Sequence, residues 1–493
     1  MTLSTAVDPS VIARVLGIET KYENFGPAGT AFLPQRIAVV AMGDDANTYS
    51  TTKRTVASSQ EVGEVEGYGS PAHLILDQLL PVNGDGVAPI PIDLYPLENP
   101  AGGTASSGDI TPTLGTITDA EYAVKINNYA SAKFTVVTGD TVGSVVTKMV
   151  AAVNGVLKMP MIASDGTTKL DLDAKFKGTL SNELYIEIDG PTNAGVTWAI
   201  TQPTGGLTNP TVDAALAQIG NVWETLIVNG LELSDSTALD TYQSIGDGRW
   251  GALVRKPFMV LTGTVEATAA TAYAISDARP TDRVNVFCPE PGGNDLPFVI
   301  AARTCARSAK QANVNPPVDY GGLKLDTLTP GADGSQWNFS ERDAAVKAGH
   351  STIEVIDGVP EIADLVTCYH PSGEEPPAYR YVVDIQKLMT TIYNLDVRFG
   401  AAEWKSAPLI PDGEPTRNPA ARSPKDFVTA AANIVRNLGL DAVLVRTAET
   451  IPLIQAEIDS SNPKRVNLYV PVYLSGNTNV KSITLAFAFN FGG

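Results

Sequence analysis

The sequence predicts a multidomain protein of mixed α/β and α+β class. It has an α/β core with an inserted antiparallel β-domain, a C-terminal α+β domain and extended terminal arms. Three observations predict this. Short continuous apolar runs, Ile37-Ala-Val-Val-Ala-Met42, Leu226-Ile-Val228, Phe258-Met-Val-Leu261 and Val284-Asn-Val-Phe287, alternate with helical patterns, as strands covered on both faces of a parallel sheet do. Between about Tyr95 and Thr208 the composition turns to Thr, Gly and Ser, and the apolar residues alternate singly, as in antiparallel strands. Near each end of the chain lies an amphipathic strand pattern in need of a partner.

A chain of 493 residues has room for about three domains at roughly 100–200 residues each. With 43% hydrophobic and 18% charged residues it has ample core material and is not a disordered chain. The net charge of -19 disfavours phosphate backbones and anionic lipid, so neither direct nucleic-acid binding nor membrane insertion is expected. No apolar run approaches the ~20 residues of a membrane helix. The start, Met1-Thr-Leu-Ser-Thr-Ala-Val-Asp8, lacks the basic-then-apolar pattern of a signal peptide. The odd set Cys288, Cys305 and Cys368 shares no metal-ligand spacing, so buried, reduced thiols are expected.

Taken in order, residues 1–30 form an arm. Ile18, Thr20 and Tyr22 alternate with Glu19, Lys21 and Glu23 before Gly26-Pro27-Ala28-Gly29 breaks the chain. Residues 31–95 and 208–370 make the α/β core. Its first helix starts at Ser70-Pro71, an N-cap with a first-turn proline, and presents Ala72, Ile75, Leu76, Leu79 and Leu80 on one face. A second helix covers Leu296 to Gln311, and a third begins at Ser340 with Ser340-Glu-Arg-Asp343 as its capping box. Residues 96–207 form the inserted β-domain, with strands at 122–126, 134–137, 184–188 and 196–200. The Pro371-Ser-Gly-Glu-Glu-Pro-Pro377 stretch opens the C-terminal α+β domain, residues 371–479.

Traces of catalysis are few. His73, His350 and His370 stand in no metal-ligand spacing. His73 falls opposite the apolar face of its helix, where a solvated ring is expected, and His350 follows Gly349 at a helix end, where it caps. Neither a GxSxG elbow nor a GxxxxGK[ST] loop occurs. Gly67-Tyr-Gly-Ser-Pro-Ala72 fits a degenerate GxGxxA, but the acidic residues before it would repel a pyrophosphate, so it reads as a tight turn into a helix. Asp165, Asp171 and Asp173 lack calcium-loop spacing and read as a solvated loop. No cofactor, metal or catalytic residue is expected.

The C-terminus carries more information. Val466, Leu468, Val470, Val472 and Leu474 alternate through a strand that Pro471 marks as an edge or bulge, and Ser475 to Asn479 turns the chain. Residues 480–493 then place Ile483, Leu485, Phe487, Phe489 and Phe491 on one face of a final strand. This strand pairs either with 466–474 or with a neighbour's sheet. A helix from about Pro424 to Leu438, capped by Ser423 and ended by Gly439, buries Phe427, Ala430, Ala431, Ile434, Val435 and Leu438. On its opposite side Lys425 and Arg436 lie within about 20° of each other at ~100° per residue, with Arg417 and Arg422 upstream. This basic stripe is either solvated or turned to an acidic partner.

Several segments in order resemble contractile phage tail sheath proteins of the Mu-like type. These are Arg14-Val-Leu-Gly-Ile-Glu-Thr-Lys-Tyr-Glu-Asn24, Phe32 to Met42, the Gly67-Tyr-Gly-Ser70 turn, Glu341 to His350 with Ile353 to Gly358 and Leu365 to Tyr369, and Val466 to Phe491. The resemblance implies a non-enzymatic subunit that polymerises with itself as stacked six-fold rings around a tail tube. It also implies contraction that drives the tube through the host envelope, on contact with baseplate and tail terminator proteins. It places the protein in the virion tail, assembled in the host cytoplasm. By the same resemblance the arms, about 10–30 and 480–493, complete shared sheets through Ile18, Thr20, Tyr22, Ile483, Leu485, Phe487, Phe489 and Phe491. The helix 424–438 becomes tube-facing, with Arg422, Lys425 and Arg436 as contact candidates. Residues 371–479 become the inner sheath domain and 96–207 an outer insertion. Another contractile-machine component, such as a type VI secretion sheath or baseplate protein, and a nucleotide-binding α/β enzyme are the alternatives.

Overall fold

A computed structural model describes residues 31–374 and 376–488. The N-terminal arm with Ile18, Thr20 and Tyr22, together with Phe489 and Phe491, lies outside the described residues.

The first strand, β1 (Ile37–Met42), has no exposed residue. It is followed by β2 (Arg54–Val56), a short α1 (Ser59–Val62), a π-helical turn over Gly63–Gly67, α2 (Pro71–Leu79) and β3 (Ile92–Leu97). Ser70 caps α2 by accepting from the His73 N–H, with Pro71 in the first turn, as expected. The helix is apolar on more than one side: Leu74 is as buried as Leu76, and His73 is only 2% exposed. His73 is therefore not solvated. Its Nδ1 accepts from the Gly69 N–H at 3.1 Å, and burial pushes its pKa down to about 4, so the ring is a neutral packing and turn-bracing group.

After β3 the chain leaves the sheet and builds two antiparallel layers. Their strands are β4 (Ser107–Leu114), β5 (Ala120–Ile126), β6 (Tyr129–Ala130), β7 (Phe134–Val136), β8 (Met161–Asp165), β9 (Leu170–Ala174), β10 (Ile186–Asp189) and β11 (Val196–Thr204). One layer runs β11-β4-β9-β8, and the other runs β10-β5-β6 with β7 also on β5. A 13-residue helix, α3 (Val142–Asn154), joins them. The sequence pattern points only to strands here, because five of the thirteen residues of this helix are Val, a weak helix former. A capping box of Thr141 and Ser144 starts it, and Val145, Val146, Met149 and Val153 bury one face. Tyr122, Phe134 and Trp198 meet edge-on or tilted in the core of these layers. Asp165 and Asp171 sit at the β8–β9 hairpin and Asp173 within β9, on strands rather than in a loop, with Asp165 and Asp173 exposed as expected.

The chain returns through α4 (Asp213–Ala217), β12 (Leu226–Asn229), α5 (Ser236–Arg249), β13 (Met259–Thr264), α6 (Ala269–Asp277), β14 (Asn285–Pro289) and α7 (Pro297–Val314). The six-stranded sheet has the order β14-β13-β12-β1-β3-β2. All pairs are parallel except β2 on β3. The four apolar runs named from the sequence thus supply four neighbouring strands. The antiparallel layers rest on this sheet partly through the 67–70 turn. There Lys175 Nζ donates to the Tyr68 carbonyl at 2.8 Å, and Gly69 lies against the Met159 carbonyl with φ of +83°.

Next come α8 (Phe339–Lys347), the hairpin β15 (Thr352–Ile356)–β16 (Val359–Asp364), and the 19-residue α9 (Val382–Gly400). The capping box of α8 is Asn338 with Glu341, two residues earlier than Ser340. Asn338 and Glu341 keep the three-residue spacing that the motif requires, with a true glutamate to reach back. Beyond α9 lie α10 (Ala402–Lys405), α11 (Pro424–Leu440), β17 (Leu444–Val445), α12 (Thr447–Thr450), β18 (Gln455–Ile458), β19 (Val466–Tyr469) and β20 (Tyr473–Leu474). α11 runs through Gly439, its C-cap being Asp441.

Gly69→Ala tests the seam between sheet and antiparallel layers. A Cβ there would meet the Met159 carbonyl carbon and oxygen, and the left-handed backbone alone costs an L-residue about 1–2 kcal/mol. Chemical denaturation should show a loss of at least about 2 kcal/mol. An unchanged midpoint would show that the 67–70 turn is not a load on the fold.

Candidate assembly surfaces

The C-terminal region has its own small core. Ala431, Val435 and Leu438 of α11 pack with Val443, Leu444 and Ile454, and Phe32, Phe399 and Leu468 lean against them. Two ladders cover this core, β17–β20 and β18–β19, each of only two strands. The alternating run 466–474 is thus two strands, interrupted at Val470–Val472, and each half has a different partner. Pro471 is the local cause, since it lacks the N–H a continuous ladder needs. Two-stranded ladders keep outer edges that can accept another strand.

From Leu474 the chain passes over a buried lysine. Lys387 of α9 has a side-chain exposure of 0%, and its Nζ bonds Asp384 Oδ1 at 2.9 Å. The same Nζ donates to the Ser475 carbonyl and Asn477 Oδ1, both at 2.5 Å. Asn477 Nδ2 in turn donates to the Pro317 carbonyl at 2.8 Å. These contacts anchor the exit of the C-terminal segment. Periodicity could not reveal Lys387, since one lysine in an amphipathic helix carries no signal of its role.

Beyond the anchor, 480–488 joins no ladder among the described residues. Ile483, Leu485 and Phe487 are 87%, 84% and 77% exposed. The final strand expected over 480–493 is thus not formed at 480–488, and among the described residues this part is not paired with 466–474. Leaving Ile483 and Leu485 in water forgoes roughly 1.5–3 kcal/mol each.

The three basic candidates separate into two kinds. Lys425 and Arg436 lie on the exposed side of α11, away from Ala431, Val435 and Leu438. Neither forms an ion pair among the described residues, and Arg436 only donates to Asn433 Oδ1 at 2.7 Å. Eleven residues of helix place them about 16 Å apart along the axis. Arg422 precedes the helix and turns inward, its guanidinium 5.4 Å from the Trp404 ring centre. It donates to the Pro419 and Ala421 carbonyls. Trp404, Phe399 and Phe427 form the aromatic cluster on which it rests, a grouping of irregular sequence spacing that pattern reading did not find.

The residues with catalytic potential are spent on packing. Burial pushes the Cys288 thiol up to about 12 and raises Cys305 and Cys368 as well. His350 is fully buried beside Phe287 and Trp337, its pKa pushed down to about 4 by burial. The N–H of His350 caps α8 through the Ala345 carbonyl. His370 Nδ1 lies 2.6 Å from the Cys368 carbonyl. Among the described residues no cluster of three or more His, Cys, Asp or Glu side chains could hold a metal ion. No helix there is long and apolar enough to cross a membrane.

The fold is that of tail sheath proteins. It matches the crystal structure of a sheath tail protein from Listeria innocua with a TM-score of 0.50 at 11% identity, over 91% of this chain and 94% of the other. A sheath tail protein from Desulfitobacterium hafniense aligns over 93% and 96% with a TM-score of 0.49 at 12% identity. No family model matches the chain. In sequence the chain is similar to the Mu-like prophage FluMu tail sheath protein of Haemophilus influenzae, 25% identical over 395 residues, which are 76% of this chain and 78% of the relative. The resemblance to Mu-like tail sheath proteins drawn from the sequence is borne out. These relatives are structural proteins, not enzymes, in agreement with a non-enzymatic chain.

Lys387→Met should release the anchored exit while leaving the helix intact. It removes the donor to Ser475 and Asn477, a change of about 1–3 kcal/mol for a buried charge-assisted contact. Amide exchange at 475–479 should accelerate well beyond the change in the rest of α9. Equal acceleration throughout the C-terminal region would mean that Lys387 supports the fold and not the exit.

Proposed function

We propose that the protein is the subunit of a contractile tail sheath. It polymerises as stacked six-fold rings around a tail tube and contracts to drive the tube through the host envelope. The observation that carries this reading is the C-terminal segment: anchored at 475–477, then exposing Ile483 and Leu485, in a region whose ladders have only two strands each among the described residues. Similarity to the Haemophilus influenzae tail sheath protein supports it. A strand that exposes its apolar face in one subunit gains a sheet, and burial, from another.

In this reading residues 1–30 and 480–493 are linking arms, the first acting through Ile18, Thr20 and Tyr22 and the second through Ile483 to Phe491. Residues 31–95 with 208–370 form the α/β core, 96–207 an outer insertion and 371–479 the inner sheath domain. Lys425 and Arg436, exposed on α11, face an acidic tube. Arg422 serves as a brace of that face through Trp404. Self, the tube protein, baseplate and tail terminator proteins are the partners. The protein works in the virion tail after assembly in the host cytoplasm, with no cofactor, direct nucleic-acid contact or membrane insertion.

Truncation after Thr478 keeps every described ladder and the Lys387 contacts. It should therefore give a folded monomer that does not sediment as polymer and shows no tubes by negative-stain microscopy. Tubes from the truncated chain would refute arm exchange at this end. Lys425→Glu combined with Arg436→Glu should weaken tube-templated assembly at low salt and leave thermal unfolding unchanged. The defect should diminish as salt shortens the screening length to roughly 8–10 Å. Wild-type templating at low salt would remove α11 from the tube contact.

A further inference from the structure

An apolar groove of about 610 Å³ opens between the loop after α5 and α9. Trp250, Ala252 and Pro257 form one wall, and Ile392, Leu395 and Phe399 form the other. Leu253 and Val254 of the same loop, and Val397 next to Asp396, are exposed, Leu253 at 92%. The charges here are mostly positive. Arg255 pairs with Asp396 at 2.9 Å, whereas Lys256 and Lys405 form no ion pair among the described residues. In a chain of net charge -19, such a surface favours an apolar group carried among acidic residues.

A group of that kind stands at the other end of the large sheet. Phe339 opens α8 and is 75% exposed. Asn338 and Glu341 already cap the helix, so its start does not need the ring. Asp333 and Glu341 flank Phe339 in the chain, and both are exposed without an ion pair among the described residues. The groove lies before the start of β13: the Pro257 carbonyl, two residues ahead of Met259, accepts from Trp223 Nε1 at 2.8 Å. The approach to α8 lies past the end of β13: Trp337 Nε1 donates to the Ala267 carbonyl at 3.0 Å, and Ser335 stands against Gly292, just beyond β14. The length of β13, roughly 17–20 Å, therefore separates groove and ring within one subunit. Two copies that join such opposite faces meet head to tail, which builds a ring or an open filament. The C-terminal segment fits the groove less well, since Lys481 is its one charged residue over 476–488 and repeats the sign of Lys405.

We propose that this groove receives Phe339 of a second copy of the chain, with Asp333 and Glu341 of that copy facing Lys256 and Lys405. The contact joins the start of the large sheet in one copy to its end in the next and does not involve the terminal segments. It rests on the reading of the chain as a self-assembling subunit and supplies a second kind of link in that assembly. Tubes that form without this contact leave the sheath reading standing and remove the contact; the contact without tubes does the reverse.

The test uses the full chain with a benzophenone photo-crosslinking amino acid in place of Phe339, mixed with isotope-labelled chain so that mass spectrometry separates links between copies from links within one. Adducts between copies should fall on 250–257 and 392–405, and their yield should drop on dilution. Ala252→Trp, which fills the groove from an exposed loop position, should lower the yield about tenfold, as loss of a central aromatic anchor does, without changing the melting temperature. Lys405→Glu should lower the yield as well, and Asp333→Lys on the crosslinker-bearing copy should restore it. Phe339→Ala should keep the melting temperature and shift sedimentation towards the monomer. An absence of adducts between copies, adducts on 480–488 of the other copy, or a yield indifferent to Ala252→Trp would overturn the proposal.

Discussion

The structure depends on covering β1 on both sides and along both edges. None of its six residues is exposed, so its backbone groups must be paired by neighbours that are themselves buried. Those neighbours are β3, which follows it closely in the chain, and β12, which comes more than a hundred residues later. Everything between β3 and β12 must therefore leave the sheet and come back to it. The two antiparallel layers are the form this excursion takes.

Charge secures the same place. Near the start of the three central strands, Arg36 and Lys53 both reach the buried carboxylates of Asp93 and Glu224, at 2.6 to 3.5 Å. Burial opposes ionisation of Asp93, but hydrogen bonds from Lys53, Thr55 and Arg36 hold it well below the usual carboxylate range. Glu224, buried and beside Asp93, is pushed up to about 7 and accepts from the Tyr95 hydroxyl. Two cations thus serve two acids of differing protonation, and neither acid is a free binding group. At the far end of the sheet Glu290, raised by burial and by Asp295 to about 10, is held protonated. Acidic residues in this protein are partly a means of tying strands together and not only a soluble coat.

The C-terminal region shows the opposite economy. Its core is a handful of residues around α11, its ladders have two strands each, and the segment that follows exposes its apolar side chains. A large sheet whose central strands are paired on both edges within one chain contrasts with small ladders of two strands each. This contrast suits a subunit that folds alone and is completed by others.

By itself the sequence determined the mixed α/β class, the strands from the runs at 37–42, 226–228, 258–261 and 284–287, and the Ser70-Pro71 start of α2, because each is a local pattern of burial or capping. The likeness to Mu-like sheath proteins was legible too, from segments spread along the chain. Only the tertiary structure decided the rest. The ring of His73 is buried because α2 is covered on two sides, which its own periodicity does not record. α3 forms in a Val-rich stretch because packing between layers outweighs weak helix propensity. The run 466–474 divides at Pro471 because its halves meet different partners. Lys387 becomes an anchor, and Arg422 a brace, through contacts with residues far away in the chain. Local patterns state which face is buried; what buries it is set by long-range pairing, and that is where the assembly surfaces of this protein take shape.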